Sequence, residues 1–260
     1  MIRFRSRSLA WLVALLSFAA SAGTAEMSAA ALAGKLSAKQ HGTAYVRVRM
    51  ETTGSAAPLQ LQIKSRASAG SAEIVYQVLF PKERKGEAVL LRRSGGRMSG
   101  SHFVPPDQLR AIAVTQLDEP LFGSALSYED IIDDFFAWDQ QTISGSEVID
   151  RIECQILESK PGKNHRSAYA SVRTWIDPRR MVPLRIEKYG EDGKLLRRIG
   201  TTRILLDGDE SIPANLSVRG PRGTVTSIDG SRIRRGVTFA DTEFTPDGLK
   251  TVSVPRGAPE

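Results

Sequence analysis

Hydrophobic and polar residues alternate one by one along much of the chain. In "AYVRVRMET", which begins at Ala44, the apolar residues Val46, Val48 and Met50 are separated by charged ones. The run "LQLQIKSR", from Leu59, repeats the pattern. Because successive side chains of a strand point to opposite faces, this period of two predicts half-buried strands with one apolar and one hydrated face. Such strands are typical of an antiparallel sheet.

Further runs of the same kind predict more strands. In chain order they are "AEIVYQVLFP", "EAVLLRR", "RMSGSHFVP", "RAIAVT", "SEVIDRIECQILESK", "YASVRTWID", "VPLRIEKYG", "KLLRRIGTTRILLD", "ANLSVRGP" and "GTVTSID". Between two of these runs, Asp192 and Gly193 predict a tight hairpin, because Gly adopts the positive φ that such turns require. We count about eleven strands and few helices, which predicts a mainly β fold whose meander curls into a barrel or half-barrel.

Two stretches predict helices instead. The first, "SAAALAGKLSAKQ" from Ser28, has one weakly apolar face. In the second, "EPLFGSALSYEDIIDDFFAW" (residues 119–138), Ser127 and Asp130 have the spacing of a capping box, in which each side chain accepts a hydrogen bond from the other residue's backbone N–H. The apolar residues that follow form one helical stripe, at Tyr128, Ile131, Ile132, Phe135 and Phe136. We therefore predict an amphipathic helix over residues 127–136.

Four carboxylates lie off this stripe, at Glu129, Asp130, Asp133 and Asp134. One interpretation is a metal site or a catalytic carboxylate pair, which needs acids that converge on a ligand. The segment contains no histidine and no calcium-loop spacing. The interpretation that we favour is a helix docked by its aromatic face, with its acids toward solvent and the first two stabilised by the helix dipole. We therefore predict no metal site and no catalytic residues.

The N-terminus, residues 1–25, predicts a secretory signal peptide. Three arginines precede an apolar stretch from Leu9 to Ala20, and small residues follow. About twelve apolar residues are too few to span a bilayer, which takes about 20. Cleavage after Ala22 or Ala25 would release the mature protein into the periplasm, and we expect residues 26–260 to form a single domain.

The lone cysteine and the net charge narrow the class of protein further. Cys154 lies deep in the mature chain, whereas a bacterial lipoprotein needs a lipobox Cys at its cleavage site, so we expect a soluble, unanchored protein. One Cys cannot form an internal disulfide. Removing residues 1–25 takes away three arginines and no acid, so the formal charge falls from +7 to +4. A mild positive charge suits anionic membrane surfaces or acidic partners, and secretion argues against nucleic acid.

The signatures of common enzyme classes are missing from the sequence. It contains no nucleophile elbow, P-loop, dinucleotide fingerprint or H-E-x-x-H zinc motif. Its three histidines, His41, His102 and His165, are scattered. We expect a protein that is not an enzyme and that has no cofactor.

A secreted half-barrel with an apolar inner face can enclose a cavity for a hydrophobic ligand. The predicted helix at residues 127–136 would then lie across the mouth as a lid. The alternative is that its apolar stripe is permanent core with no cavity beneath it. The residues alone leave both arrangements open.

Four segments in order resemble a known family: "FGSALSYEDI", "WIDPRRMVPLRIEKYGEDGKLLRRI", "GTVTSIDGSRI" and "FTPDGLKTV". Residues 45–252 thereby resemble the outer-membrane lipoprotein-sorting protein family of the LolA/LolB-like superfamily. The branch that the chain resembles more closely carries F-x-G-S-D-F-S-Y-E-D-L and a Trp-Ile-Asp strand. These motifs correspond to Phe122, Gly123, Ser124, Leu126, Ser127, Tyr128, Glu129 and Asp130, and to Trp175, Ile176 and Asp177. Ala125 replaces the usual Asp, so any polar contact made by that Asp is absent.

The resemblance implies an unclosed antiparallel β-barrel with short helices covering its mouth, and the carriage of acyl chains or lipoproteins between membranes. We hypothesise a monomeric periplasmic carrier of lipid or lipoprotein acyl chains, with an inner-membrane transporter as a further partner. The candidate ligand-binding residues are Phe122, Tyr128, Ile131, Ile132, Phe135, Phe136, Trp138 and Trp175. The alternative is a periplasmic accessory subunit that binds a membrane transporter and has no cargo of its own.

Overall fold

A computed structural model describes residues 27–163 and 165–255, so the predicted signal peptide lies outside the described residues. The strands are β1 (Gly42–Thr52), β2 (Leu59–Ser68), β3 (Ser71–Phe80), β4 (Ala88–Ser94), β5 (Arg97–Val104), β6 (Gln108–Ile112), β7 (Gln140–Ile149), β8 (Ile152–Lys160), β9 (Ser171–Asp177), β10 (Val182–Tyr189), β11 (Leu195–Asp207), β12 (Glu210–Arg219) and β13 (Val225–Arg235). The α-helices are α1 (Ala29–Ala38) and α2 (Tyr128–Ile132). Short 3-10 helices cover Lys82–Arg84, Val114–Gln116, Leu121–Gly123, Phe135–Ala137, Pro221–Gly223, Asp241–Phe244 and Asp247–Lys250.

All thirteen strands belong to one antiparallel sheet, in the order β6-β5-β4-β3-β2-β1-β13-β12-β11-β10-β9-β8-β7. The first and last strands, β1 and β13, pair in the middle of the sheet. The strands β6 and β7 form its two edges and do not pair with each other, so the barrel is not closed. The predicted fold class, a mainly β, unclosed antiparallel half-barrel with short helices, is confirmed.

The sheet has thirteen strands rather than about eleven. The run "SEVIDRIECQILESK" contributes to two strands, β7 and β8, which are joined by a turn at Asp150 and Arg151. Both residues have positive φ, 48° and 67°. Asp adopts such φ values more often than most residues, but Arg rarely does, and no Gly or Asn marks the turn. The alternation therefore predicted a single strand here. The hairpin predicted at Asp192 and Gly193 is confirmed, because it joins β10 to β11 with φ of 72° at Gly193.

The segment between the two edge strands, residues 113–139, crosses the inner face of the sheet. It includes α2 and three of the 3-10 helices. Ala125 and Leu126 pack against Val218 of β12, whereas Phe135 and Phe136 pack against α1 and β8. We call residues 113–139 the crossover segment. The aromatic side chains of Phe135, Phe136 and Trp138 are buried because this part of the segment packs against α1 and the sheet.

The alternation predicts a hydrated outer face on β2 and β3, but this face is buried. The side chain of Gln62 donates to Gln77 Oε1 at 2.8 Å and to the Ser253 carbonyl at 3.0 Å. Lys64 Nζ lies 2.5 Å from Glu243 Oε2, and both Gln62 and Lys64 are buried. The expectation of a hydrated face is wrong here, because the C-terminal residues 236–255 cover it and supply polar partners.

Among the helices of residues 27–163 and 165–255, none has both the length and the apolar character needed to cross a membrane.

Candidate functional site

A cavity of about 800 Å³ lies between the inner face of the sheet, α1 and the crossover segment. This volume is within the range of about 300–1,000 Å³ that is usual for small-molecule sites. Its wall is mostly apolar and comes from inward-pointing positions of the central strands, among them Val46, Val48, Leu61, Ile199, Ile212 and Ile228. The alternation that predicted the strands therefore also supplies the apolar wall of the cavity.

The solvent-exposed part of the cavity wall lies where α1 leads into β1 and where β13 ends. Gln40, His41 and Gly236 are exposed there. Lys39 Nζ lies within 3.3–3.4 Å of three backbone carbonyl oxygens, two in the turn between β9 and β10 and one at Ser211 of β12. These contacts attach the end of α1 across the mouth of the cavity. No motif in the sequence indicates this role of Lys39.

Three of the eight candidate ligand-binding residues line this cavity: Ile131, Phe135 and Phe136. All three belong to the predicted stripe. The rings of Phe135 and Phe136 lie 4.4 Å apart and also pack against α1. These side chains are therefore packed in the core and also form part of the wall of a cavity. The role of a lid stays a prediction.

The other candidates lie elsewhere. Tyr128 and Ile132 pack in a separate core cluster against β3 and β4. Trp138 packs beside α1 without lining the cavity. Phe122 lines a smaller pocket of about 350 Å³, where the ring of His102 meets it edge-on at 6.2 Å.

Trp175 is on the opposite face of β9 from the crossover segment. Its neighbour Ile176 packs in the cluster that contains α1 and Phe135. Because side chains alternate along a strand, Trp175 instead packs with Cys154 and Val182. The structure therefore does not place Trp175 in the cavity.

The predicted helix begins where expected but is shorter. Ser127 N donates to Asp130 Oδ2 at 2.7 Å and Asp130 N donates to Ser127 Oγ at 3.2 Å, so the capping box is confirmed. The backbone leaves the helical conformation at Asp133, with ψ of 141°, and a 3-10 turn follows over Phe135–Ala137. A helix over residues 127–136 is therefore wrong. The bend directs the two phenylalanines toward α1, and this tertiary contact outweighs the helical periodicity.

The prediction that the acids face solvent is also wrong. The side chain of Asp130 is 0% exposed, and its two oxygens lie 2.8 Å from Lys188 Nζ and 2.7 Å from Arg197 Nε. Tyr169 Oη donates to Asp130 Oδ1 at 2.7 Å. Burial acts to raise the pKa of Asp130, but the two cations outweigh it and hold the pKa below its ordinary value. Asp130 therefore binds the crossover segment to β10 and β11.

Glu129 is buried in a different environment. Ser167 Oγ donates to Glu129 Oε1 at 2.5 Å, and the backbone N–H of Ala168 donates to the same oxygen at 3.1 Å. Burial raises the pKa of Glu129 above its ordinary value, and these hydrogen bonds only partly oppose it. Glu129 thus holds the loop before β9 over the crossover segment.

Asp133 and Asp134 are also buried. Ser37 of α1 donates to Asp134 Oδ2 at 2.7 Å, and Arg93 of β4 lies 3.7 Å from the same oxygen. The cations that meet the acids come from strands far away in the sequence, so local spacing could not indicate them. Within the described part of the chain, no group of three or more His, Cys, Asp or Glu residues is arranged to hold a metal ion.

Comparison with known proteins places this fold in a family. A family model described as "Uncharacterized protein" matches residues 70–251. A DUF1329 family protein from Desulfovibrio piger has a similar structure, with 21% identity, a TM-score of 0.79 and coverage of 85% of this chain and 97% of that chain. A domain assigned to outer membrane lipoprotein sorting, from Vibrio parahaemolyticus, has 19% identity and a TM-score of 0.77, covering 86% and 98%. The search of curated proteins gave no match.

A LolA superfamily protein from Nitrosomonas europaea is also similar, with 20% identity, a TM-score of 0.67 and coverage of 86% of this chain and all of that chain. At these identities the structures show a shared fold. The resemblance to the LolA/LolB-like superfamily that the sequence suggested is confirmed. The chain belongs to the family whose model matches residues 70–251, a family with the LolA-like fold.

Proposed function

We propose that the protein is a periplasmic carrier that binds a lipid, or the acyl chains of a lipoprotein, in the cavity of about 800 Å³. The observation that carries this proposal is the wall of the cavity, which is apolar across both halves of the sheet, from β1 and β2 to β11 and β12. An apolar cavity favours a hydrophobic occupant, because burying apolar surface is worth about 25 cal/mol per Å².

Two further observations support it. Similar structures include a domain assigned to outer membrane lipoprotein sorting and a LolA superfamily protein. The signal peptide predicted at residues 1–25 would deliver the chain to the periplasm. The function needs no catalytic residue, and the buried acids of the crossover segment are engaged in holding the fold.

Binding tests this function directly. The delipidated protein would be titrated with a fluorescent fatty-acyl probe, and we expect saturable binding. The double substitution Val46→Trp and Ile228→Trp, at two half-buried positions of the cavity wall, should reduce the affinity about tenfold or more because the rings occupy the space of the ligand. Val148→Trp is the matched control, since Val148 is 65% exposed on β7.

A folded wild-type protein that shows no saturable binding would contradict the carrier function. The accessory-subunit alternative would then account for the protein better, and recovery of a transporter in a pull-down from membranes would support that alternative.

A further inference from the structure

Arginines dominate the outward positions of the four central strands, β11, β12, β13 and β1. Val46, Ile199 and Ile228 line the cavity, and side chains alternate along a strand, so the residues between such positions point away from the cavity. The charged residues that point outward are the arginines Arg47, Arg49, Arg198, Arg203, Arg219, Arg232 and Arg234, and the acids Glu51 and Asp229. All of these arginines except the half-buried Arg47 are exposed. We call this set of arginines the arginine face.

Two pairs of these arginines lie directly opposite each other on neighbouring strands. Arg47 of β1 is the Cα partner of Arg232 of β13, and Arg198 of β11 is the Cα partner of Arg219 of β12. Like charges at opposed positions destabilise a sheet. The repulsion in the second pair is only partly offset, because Arg198 Nε lies 2.8 Å from Glu187 Oε1. A phosphate bound between two opposed guanidinium groups would relieve this repulsion, since arginine binds phosphate through two parallel hydrogen bonds.

Much of the charge of the arginine face is not neutralised by acids of the fold. Arg203 donates to two neutral oxygens, Asn215 Oδ1 at 3.0 Å and the Gly230 carbonyl at 2.9 Å. Arg49 has an acidic partner, Glu51, at 3.0 Å. In the part of the chain that the structure describes, no acid lies within ion-pair distance of Arg219, Arg232 or Arg234. These exposed guanidinium groups are therefore available to an anion from outside the fold.

The layout of the arginine face suits a surface that carries many phosphates rather than a single anion. Arg219 and Arg232 lie about 20 Å apart along the strands, which is too far for one phosphate to reach both. The same side of the sheet carries Leu206 of β11, which is 77% exposed. Its neighbour Leu205 pairs with Ile212 of the cavity wall, so Leu206 points away from the cavity. Cations around an exposed apolar side chain are typical of proteins that bind at a membrane surface.

The arginine face also reaches the mouth of the cavity. Arg235 follows Arg234 directly and lines the cavity where β13 ends. A membrane that binds the arginine face would therefore lie beside the solvent-exposed part of the cavity wall. This is the position that the exchange of a lipid between cavity and membrane requires.

We propose that the arginine face binds an anionic phospholipid membrane, with lipid phosphates between the opposed arginines and Leu206 among the headgroups. The positive charge of the face attracts the surface from a distance, and the guanidinium groups then bind the phosphates directly. This interaction goes beyond the proposed carrier function and does not depend on what occupies the cavity.

The test is cosedimentation of the whole mature protein with sucrose-loaded vesicles. One set contains phosphatidylcholine alone, and the other contains phosphatidylcholine mixed with phosphatidylglycerol. Wild type should bind the mixed vesicles only, and more weakly as NaCl is added, because salt screens exposed charges. The triple variant Arg219→Gln, Arg232→Gln and Arg234→Gln should bind the mixed vesicles about tenfold more weakly or less, since each cation near an anionic surface strengthens binding about fivefold. Leu206→Ser should also weaken binding, by about fivefold.

The matched control removes the same charge elsewhere. Lys82→Gln, Lys85→Gln and Arg97→Gln change exposed cations after β3 and at the start of β5, and this variant should bind as wild type does. An equal loss in both triple variants would overturn the proposal, because net charge alone would then explain the binding.

Two further outcomes would overturn it. If inorganic phosphate at constant ionic strength released wild type from the vesicles, and Leu206→Ser bound as wild type does, the arginine face would bind a soluble anion. If wild type ignored the mixed vesicles but still bound the acyl probe, membrane binding would be wrong and the carrier function would stand. The comparison of the two vesicle sets with wild type is valid even if a variant does not fold.

Discussion

Asp130 carries a negative charge into a site where its carboxylate is wholly shielded from solvent. Two buried cations, Lys188 and Arg197, form ion pairs with this carboxylate. Removing one partner of a buried ion pair leaves an uncompensated charge, which costs about 3–5 kcal/mol. We therefore expect Asp130→Asn to lower the free energy of unfolding by about this amount, as measured by urea denaturation followed by tryptophan fluorescence.

The control for this substitution is Asp192→Asn. Asp192 pairs with Lys194 in a hairpin, at 2.7 Å, with both side chains more than half exposed. Exposed pairs contribute little to stability, so no measurable change is expected. Equal effects of the two substitutions would contradict the assignment of Asp130 as the attachment of the crossover segment.

The neighbouring acids Glu129 and Asp130 of the crossover segment should change the stability of the fold in opposite directions as the pH changes. The folded pKa of Asp130 is lowered, so its charge stabilises the fold above the unfolded pKa of about 3.9, and the contribution is lost as the pH falls through the folded pKa. The folded pKa of Glu129 is raised. Its protonated form therefore favours folding below the unfolded pKa of about 4.3, and that contribution is lost as the pH rises through the folded pKa.

The measurement is the free energy of unfolding of wild type, Asp130→Asn and Glu129→Gln from about pH 3 to about pH 7. The deficit of Asp130→Asn should shrink as the pH falls below about 4. Glu129→Gln should gain stability relative to wild type as the pH rises above about 4. If the Glu129→Gln and wild-type values changed in parallel, the raised pKa of Glu129 would be wrong.

For single residues, the sequence predicted the local backbone geometry but not the surroundings of the side chains. The capping box of Ser127 and Asp130 depends on residues three apart, and it was confirmed. The burial of Asp130 depends on Lys188 and Arg197, which reach it from separate strands. No spacing within the crossover segment contains that information.

Strand β13 approaches the backbone of β12 closely at Gly230, which lines the cavity. A Cβ atom there would lie 2.6 Å from the Ala214 carbonyl oxygen of β12. Gly230→Ala should therefore force the two strands apart and lower stability by about 1–3 kcal/mol, which urea denaturation would measure.

Gly200 of β11 is the matched control. A Cβ atom at Gly200 would meet its nearest neighbour at 3.9 Å, an ordinary contact. We expect Gly200→Ala to have little effect, and a larger loss at Gly200 than at Gly230 would show that close approach is not the cause.

Most strands could be predicted, because the period of two is a direct result of strand geometry. The turn at Asp150 and Arg151 was not predicted, since Arg151 has a positive φ that its residue type rarely adopts and no Gly or Asn marks the turn. The length of α2 could not be predicted from the sequence either. The stripe from Tyr128 to Phe136 has helical spacing, but the contact of Phe135 with α1 bends the chain at Asp133.

In the whole molecule, the pairing of β1 with β13 brings the first and the last strand together in the middle of one sheet. The resemblance to a family predicted the unclosed barrel, whereas the alternation alone left a closed barrel open as well. The residues alone could not decide between a cavity and a filled core beneath the crossover segment. The same apolar positions would fill a smaller core if the crossover segment lay closer to the sheet.

Native mass spectrometry of the protein, purified without detergent from the cells that produce it naturally, tests the carrier function most directly. It reports the bound ligand and the oligomeric state together. We expect a monomer that carries the additional mass of a bound ligand, and collisional activation should remove this mass. The Val46→Trp and Ile228→Trp double variant should lack it. A wild-type protein found only at the mass of its polypeptide, with no saturable acyl binding after purification, would contradict the account.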